Sequence, residues 1–253
     1  MGEALELVPA GLPAAAAGGF TTRTGGVSAA PYASLNLGRH VKDEPGLVQT
    51  NRNRLADRVR LGPGRGRPVG ALVFAQQVHG REVAVVSGPT RDPVPGVDAL
   101  VTATPGLGLV VLAADCLPVL LVDPVAGVVA AAHAGRQGLA AGVLQATVTA
   151  MAGLGATAAR TMAVLGPAAC GRCYELPAAL ADAVDRAAPG ARATTRAGTA
   201  SVDLRAGATT VLRATGITAV TTVGGCTIEQ PARFFSYRRD GVTGRHGAVV
   251  ALA

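Results

Sequence analysis

The sequence predicts an α+β fold in which mixed sheets are covered by helices on their outer faces. Strand-length apolar runs follow one another in groups instead of alternating strictly with helices, which argues against a doubly wound sheet. Gly, Pro and Asp punctuate these runs, and the chain carries 34 Gly and 16 Pro without a repeat. Most stretches of helical character, rich in Ala and Leu, come after residue 138.

Taken in order, residues 1–19 are expected to be a variable N-terminal segment of a single domain spanning 1–253. Gly46 to Leu61 has helical character, with Leu47, Val48, Leu55 and Val59 apolar and Arg on other faces. Gly62 to Pro68, Gly-Pro-Gly-Arg-Gly-Arg-Pro, is expected to be an exposed loop. Strands are expected at Ala71 to Val78, Val83 to Val86, Ala99 to Thr102, Leu107 to Ala114, Val119 to Val122 and Val128 to Ala132. Helices follow at Gly138 to Met151, Pro177 to Ala188 and Asp203 to Ala214. Strands near Thr161 to Leu165, Ala219 to Val223 and Ala248 to Leu252 complete the expected set.

Composition narrows the function classes. Apolar residues make up 49%, enough for a substantial core, and the formal net charge is +7. All but one of the 23 basic residues are Arg. That charge suits an anionic partner, either nucleic acid or a phosphate-bearing small molecule. Nucleic acid is disfavoured: the six Arg from Arg52 to Arg67 have no aromatic residue among them to stack bases, so a solvated helix face and loop is expected. The longest apolar stretch, Gly106 to Ala132, is broken by Asp115, Pro118, Asp123 and Pro124 and cannot span a bilayer. With no charged leader and only four cysteines, a reduced cytoplasmic protein is expected.

Three reactive residues fall at strand ends. His79 and His133 each follow an expected strand, and Cys116 follows the one that ends at Ala114. Two imidazoles and one thiolate form a ligand set for a catalytic zinc that keeps its fourth position for water. The same residues also suit a thiol nucleophile, Cys116, with His133 or His79 as its base. A plain buried thiol beside two hydrogen-bonded histidines is the third possibility. Cys170-Gly171-Arg172-Cys173 is a CxxC with no second pair, leaving Cys226, His40 and His246 as available partners. A reduced loop with two free thiols is expected there.

The seven aromatic residues cluster in polar segments, which suggests a planar ligand as readily as core filling. Arg23, flanked by hydroxyls and two glycines, and Arg238 with Arg239 after Phe234-Phe235, have the chemistry to hold a phosphate. Neither a P-loop nor a GxGxxG occurs in these segments.

In order along the chain, Thr22-Arg23-Thr24-Gly25-Gly26-Val27-Ser28, Pro31-Tyr32, Ser34-Leu35-Asn36-Leu37-Gly38 and Asn51-Arg52 resemble the opening of one family. It is the laccase-domain purine nucleoside phosphorylases, the YfiH-like proteins once called polyphenol oxidoreductases. Gln77-Val78-His79-Gly80, Ala114-Asp115-Cys116-Leu117-Pro118, His133-Ala134-Gly135, Gly166-Pro167, Tyr174-Glu175 and Phe234 to Arg239 continue the resemblance. It implies an α/β/β/α layered arrangement, with one zinc held by His79, Cys116 and His133. It also implies phosphorolysis of adenosine, inosine and methylthioadenosine, together with hydrolytic deamination of adenosine. Purine nucleoside and phosphate are the partners expected, and copper is at most an adventitious occupant of the zinc site.

Catalytic roles then fall to Cys116 and His133, with Asp115 as a candidate proton shuttle. A structural carboxylate is the stronger expectation for Asp115, because the neighbour of a ligand in an extended segment tends to face away from it. Arg23, Asn36, Tyr237, Arg238 and Arg239 are candidates for binding substrate or phosphate. One departure is plain: relatives usually carry His-Ala-Gly-Trp-Arg-Gly where this chain has His133-Ala134-Gly135-Arg136-Gln137-Gly138. The large ring is lost and the Arg stands one position early. A laccase reading fails on ligand count, because a multicopper oxidase needs about ten His and this chain has four. The alternatives are a Cys-His hydrolase acting on a cell-wall precursor and, more distantly, a non-catalytic basic binding module. Oligomeric state is left open.

Overall fold

The structure, a computed structural model, describes residues 4–60 and 71–253. The expected loop from Gly62 to Pro68 lies outside them. In chain order the elements are β1 (Leu7–Pro9), β2 (Ala16–Thr21), α1 (Pro45–Arg60), β3 (Ala71–Gln76), β4 (Val83–Val85), β5 (Val94–Pro95), β6 (Ala99–Thr102) and β7 (Leu107–Ala113). Then come β8 (Leu117–Asp123), β9 (Val128–Ala134), α2 (Arg136–Ala141), α3 (Val143–Ala152), β10 (Met162–Leu165), α4 (Ala178–Ala187) and β11 (Arg192–Thr194). The chain ends with β12 (Ala200–Val202), α5 (Leu204–Ala214), β13 (Ala219–Thr222), α6 (Tyr237–Asp240) and β14 (His246–Leu252).

These strands form two six-stranded sheets, ordered β1-β2-β14-β7-β3-β5 and β13-β10-β8-β9-β6-β4, plus the small β11-β12 pair. Alternation along the strands shows how the sheets stack. On β8, Leu120 and Val122 join Val73, Leu109, Val111, Val129 and Phe20 in a core between the sheets. Leu117, Val119 and Leu121 point the other way, into a core shared with α3, α4 and α5. On the far side Leu55 and Val59 of α1 pack on Phe74, Val110, Leu112 and Val249 of the first sheet. The order is therefore helix, sheet, sheet, helix, the α+β arrangement expected. Because both faces of β7, β8 and β9 are covered, every one of their residues is buried, which explains their continuous apolar runs.

Two differences from the expected elements have local causes. The helix expected from Gly138 to Met151 is two helices, because Gly142 at φ 93° caps α2 with its N–H on the carbonyls of Gly138 and Leu139. His133 belongs to β9 instead of following it, since the pairing with β8 runs through Pro118↔His133 to Leu117↔Ala134. Sequence reading also missed β1, β2, β5, β11, β12 and α6. These are short or rich in Ala and Gly, and long-range pairing sustains them where propensity does not.

Candidate metal centre

Register brings the reactive residues together. The β6–β9 pairing sets Ala99 opposite Ala132, and the β8–β9 pairing sets Pro118 opposite His133. Asp98, just before β6, and Cys116, just before β8, therefore flank His133. The first sheet contributes the third ligand from the loop after β3. Gln77 extends that strand's pairing with a side chain: its Nε2 donates to the Leu112 carbonyl at 2.7 Å, and its Oε1 accepts from the Leu112 amide at 2.8 Å. His79 then turns in at φ 61°.

One ligand atom each from His79, Cys116 and His133 lie within 4.8 Å of one another. Cys116 Sγ is 3.8 Å from His79 Nε2, and the two imidazoles meet edge to face at 4.8 Å. Gly135 makes this approach possible: a Cβ there would stand 2.9 Å from Cys116 Sγ and 3.1 Å from His79 Cδ2. The donor set of two nitrogens and one sulfur, around a spot that a single methyl would fill, fits a borderline-soft divalent metal.

Asp98 organises the trio. Fully buried, it accepts the amides of Val78, His79 and Gly80 at 3.1, 3.0 and 2.7 Å, and faces His133 Nδ1 at 2.8 Å. Burial alone pushes its carboxyl up, but the His133 hydrogen bond and the loop amides outweigh that and keep it ionised. With Nδ1 committed to Asp98, Nε2 of His133 is left for the site. Burial likewise opposes charge on Cys116 and His133. Each nevertheless favours ionisation of the other, so the thiol is lowered and the imidazole, helped by Asp98, is raised.

The trio opens on a cavity of ≈ 980 Å³. Among the described residues Arg39, Arg52, Arg136, Arg238 and Arg245 line it, against Asp92 and Asp115 of opposite sign. Tyr174 and Tyr237 supply its rings, and guanidinium carbons of Arg238 and Arg245 lie 5.1 and 5.8 Å from their respective centroids. Arg52, expected on a solvated face, is buried instead: its guanidinium lies 3.8 Å over the Phe74 ring and its Nε donates to the Leu37 carbonyl. Burial and Arg39 lower its pKa to about 10, so it stays cationic at neutral pH. Arg136, from the departing His-Ala-Gly-Arg-Gln-Gly segment, is the first residue of α2 and faces this cavity.

Of the other expected site residues, Tyr237 and Arg238 line the cavity, whereas Arg23, Asn36 and Arg239 do not. Arg23 donates to the carbonyls of Ala33 and Pro231 and packs over Phe235. Asn36 accepts the amides of Gly38 and Arg245, both at 2.9 Å, and donates to Asp43. Arg239 donates to the carbonyls of Thr227 and Phe234. Their donors and acceptors are taken by backbone and, for Asn36 and Arg239, by the carboxylates of Asp43 and Asp240, so all three build the frame of the site. Asp115 is buried, accepting from the Thr227 hydroxyl at 2.6 Å and the Arg238 amide at 2.7 Å. It anchors the Arg238 segment beside Cys116.

Sequence reading overlooked Asp98, and it did not place Arg39, His40, Arg52 or Arg245 in a site. A signal for Asp98 existed: one acid opening the apolar run Ala99 to Thr102 must collect several donors to be buried there. No helix among the described residues is long and apolar enough to cross a membrane.

Residues 17–253 match the sequence profile of a family described as multi-copper polyphenol oxidoreductase laccase. A Streptomyces griseus protein named a purine nucleoside phosphorylase is 52% identical over 235 residues, 92% of this chain and 93% of that one. A Mycobacterium bovis protein of the same name is 47% identical over 230 residues, 91% and 89% of the two chains. Among solved structures, YlmD from Geobacillus stearothermophilus superposes with a TM-score of 0.88 at 32% identity, covering 100% of this chain and 98% of that one.

Proposed function

Because this chain belongs to the multi-copper polyphenol oxidoreductase laccase family, whose similar members include proteins named purine nucleoside phosphorylases, we propose that it is a zinc-dependent purine nucleoside enzyme. It cleaves adenosine, inosine and methylthioadenosine with phosphate to give the free base and the (methylthio)ribose 1-phosphate, and it deaminates adenosine by hydrolysis. The observation that carries this reading is the convergence of five arginines, two tyrosines and the His79–Cys116–His133 trio on one cavity.

His79, Cys116 and His133 would hold the zinc, which supplies a Lewis acid to the site when bound. The arginines provide the anion clamp that phosphorolysis needs, orienting phosphate toward the anomeric carbon while the sugar gains positive charge. Arg52 and Arg245 are braced by backbone carbonyls, so they are positioned before phosphate arrives. The faces of Tyr174 and Tyr237 suit a purine ring. Asp98 orients His133 and the His79 loop together. Asp115, with both carboxylate oxygens engaged, acts as an anchor in this reading and moves no proton.

A second reading rests on the lowered Cys116 thiol beside raised His133: a thiolate nucleophile paired with an imidazolium, as in a Cys-His hydrolase. One experiment separates the two. Protein purified without a metal-affinity tag, wild type and Cys116→Ala, is analysed for zinc and assayed for nucleoside cleavage with and without phosphate. The phosphorylase reading expects zinc at this site in the wild type, loss of that zinc in the variant, and base release that requires phosphate. Protein without zinc at this site that is alkylated at Cys116 and leaves nucleosides intact would support the hydrolase instead.

A further inference from the structure

Away from the cavity, the CxxC that sequence reading left as two free thiols has company. The turn of Cys170 to Cys173 is closed by the amides of Cys173 and Tyr174 on the Cys170 carbonyl, both at 2.9 Å. Cys226, after β13, is carried to it by the bridge between Ala168 and Cys226. Its Sγ accepts the Cys170 amide at 3.4 Å. Glu229, one turn further along, accepts from Cys173 Sγ at 3.3 Å and pairs with Arg196. One ligand atom from each of Cys170, Cys173, Cys226 and Glu229 lie within 4.8 Å of one another, and none of the four lines the cavity.

We propose that Cys170, Cys173, Cys226 and Glu229 form a second, structural metal site that takes a zinc ion. The chemistry selects the metal class. Three sulfurs and one carboxylate favour a borderline-soft divalent ion over magnesium or calcium, which take oxygen ligands. The geometry agrees: a tetrahedral ion at about 2.3 Å from sulfur has ligand atoms about 3.8 Å apart, inside the spacing that these four groups occupy. A Cys170–Cys173 disulfide would use two sulfurs and leave Cys226 and Glu229 converging on nothing. On binding, the three thiol protons leave for solvent and Glu229 exchanges its Cys173 hydrogen bond for the ion. The remaining negative charge faces Arg196.

Its consequence reaches the first site. The ion would tie residues 170–173 to 226–229, and Thr227 within that clasp donates to Asp115, next to Cys116. Thr227 also offers its carbonyl to Arg239. Four protein ligands with no open position make this a clamp for the loops behind the cavity.

The test is read in the Cys116→Ser background, so that it does not depend on whether the first trio binds metal. Full-length protein, reduced and freed of its tag, is titrated with Co²⁺ and with Zn²⁺. The expected result is about one metal per chain, thiolate-to-cobalt charge-transfer absorption without Cys116, and slower alkylation of Cys170, Cys173 and Cys226 when zinc is added. Adding Cys173→Ser should abolish the absorption. Because that variant can fail to fold, alkylation mapped by mass spectrometry on the Cys116→Ser protein alone is the independent readout. Absence of charge-transfer bands, together with equal alkylation with and without zinc, would overturn the proposal. So would a Cys170–Cys173 disulfide whose reduction yields no metal binding.

Discussion

The two clusters of soft ligands in this chain lie near one another yet differ in closure. His79, Cys116 and His133 supply three ligand atoms at a cavity that five arginines line. Cys170, Cys173, Cys226 and Glu229 supply four, with Glu229 engaged by Arg196 and none of the four lining that cavity. Their supports differ as well. A buried carboxylate, Asp98, steers the first cluster, whereas a short CxxC turn and one strand bridge assemble the second. An open position on a metal admits substrate, while a filled one holds chain segments together. The two proposed zinc sites would therefore serve opposite ends, according to how many groups the fold delivers to each.

The largest expected effect that separates the clusters is at Asp98. Asp98→Ala leaves three loop amides and His133 without their shared partner and should destabilise the fold by about 3–5 kcal/mol, measured by denaturant unfolding. Asp98→Asn, which keeps the volume, should weaken metal at the trio by about 10–100-fold in a chelator competition. Metal at Cys170, Cys173, Cys226 and Glu229 should be unchanged in it. Equal loss at both clusters would show that they are not independent.

A smaller effect is expected at Gly135. Gly135→Ala drives a methyl toward Cys116 Sγ and His79 and should cost about 1–3 kcal/mol as overpacking, with metal lost from the trio alone. Next is Arg136→Leu, which removes a cavity cation without touching either ligand set. The KM for phosphate should rise about tenfold, the worth of one charge-assisted hydrogen bond, with zinc content unaltered. An unchanged KM would remove Arg136 from the clamp.

A last test concerns acid, which strips metal from thiolates and so blurs the two clusters. His246 supplies a baseline that involves neither. Burial, and then the charge of Arg245, hold its pKa at about 3, below the usual 6.5. Above pH 6.5 it is neutral in both folded and unfolded chains and costs nothing. As pH falls from 6.5 toward 3 the unfolded chain takes up a proton that the folded chain refuses, so stability declines by up to about 1.4 kcal/mol per pH unit. In metal-free protein, His246→Leu should flatten that decline in urea unfolding between pH 6 and 4.

Much of this protein was legible in its residues because local patterns are short-range physics. The continuous apolar runs of β7, β8 and β9 read as strands. Val59 and Leu55 marked the inner face of α1. His79, Cys116 and His133 stood at or near strand ends, and the family's motifs grouped them. Only the tertiary structure decided what those residues meet. Asp98 is an unremarked acid until strand register sets it against His133. Arg23, Asn36 and Arg239 have the right chemistry for an anion, yet backbone groups 2 to 209 residues away and the carboxylates of Asp43 and Asp240 claim most of their polar atoms. Cys226 and Glu229 lie 56 residues from the thiols that they join. Residue type and spacing determine which chemistry a side chain can perform; pairing between distant strands determines which partners reach it first.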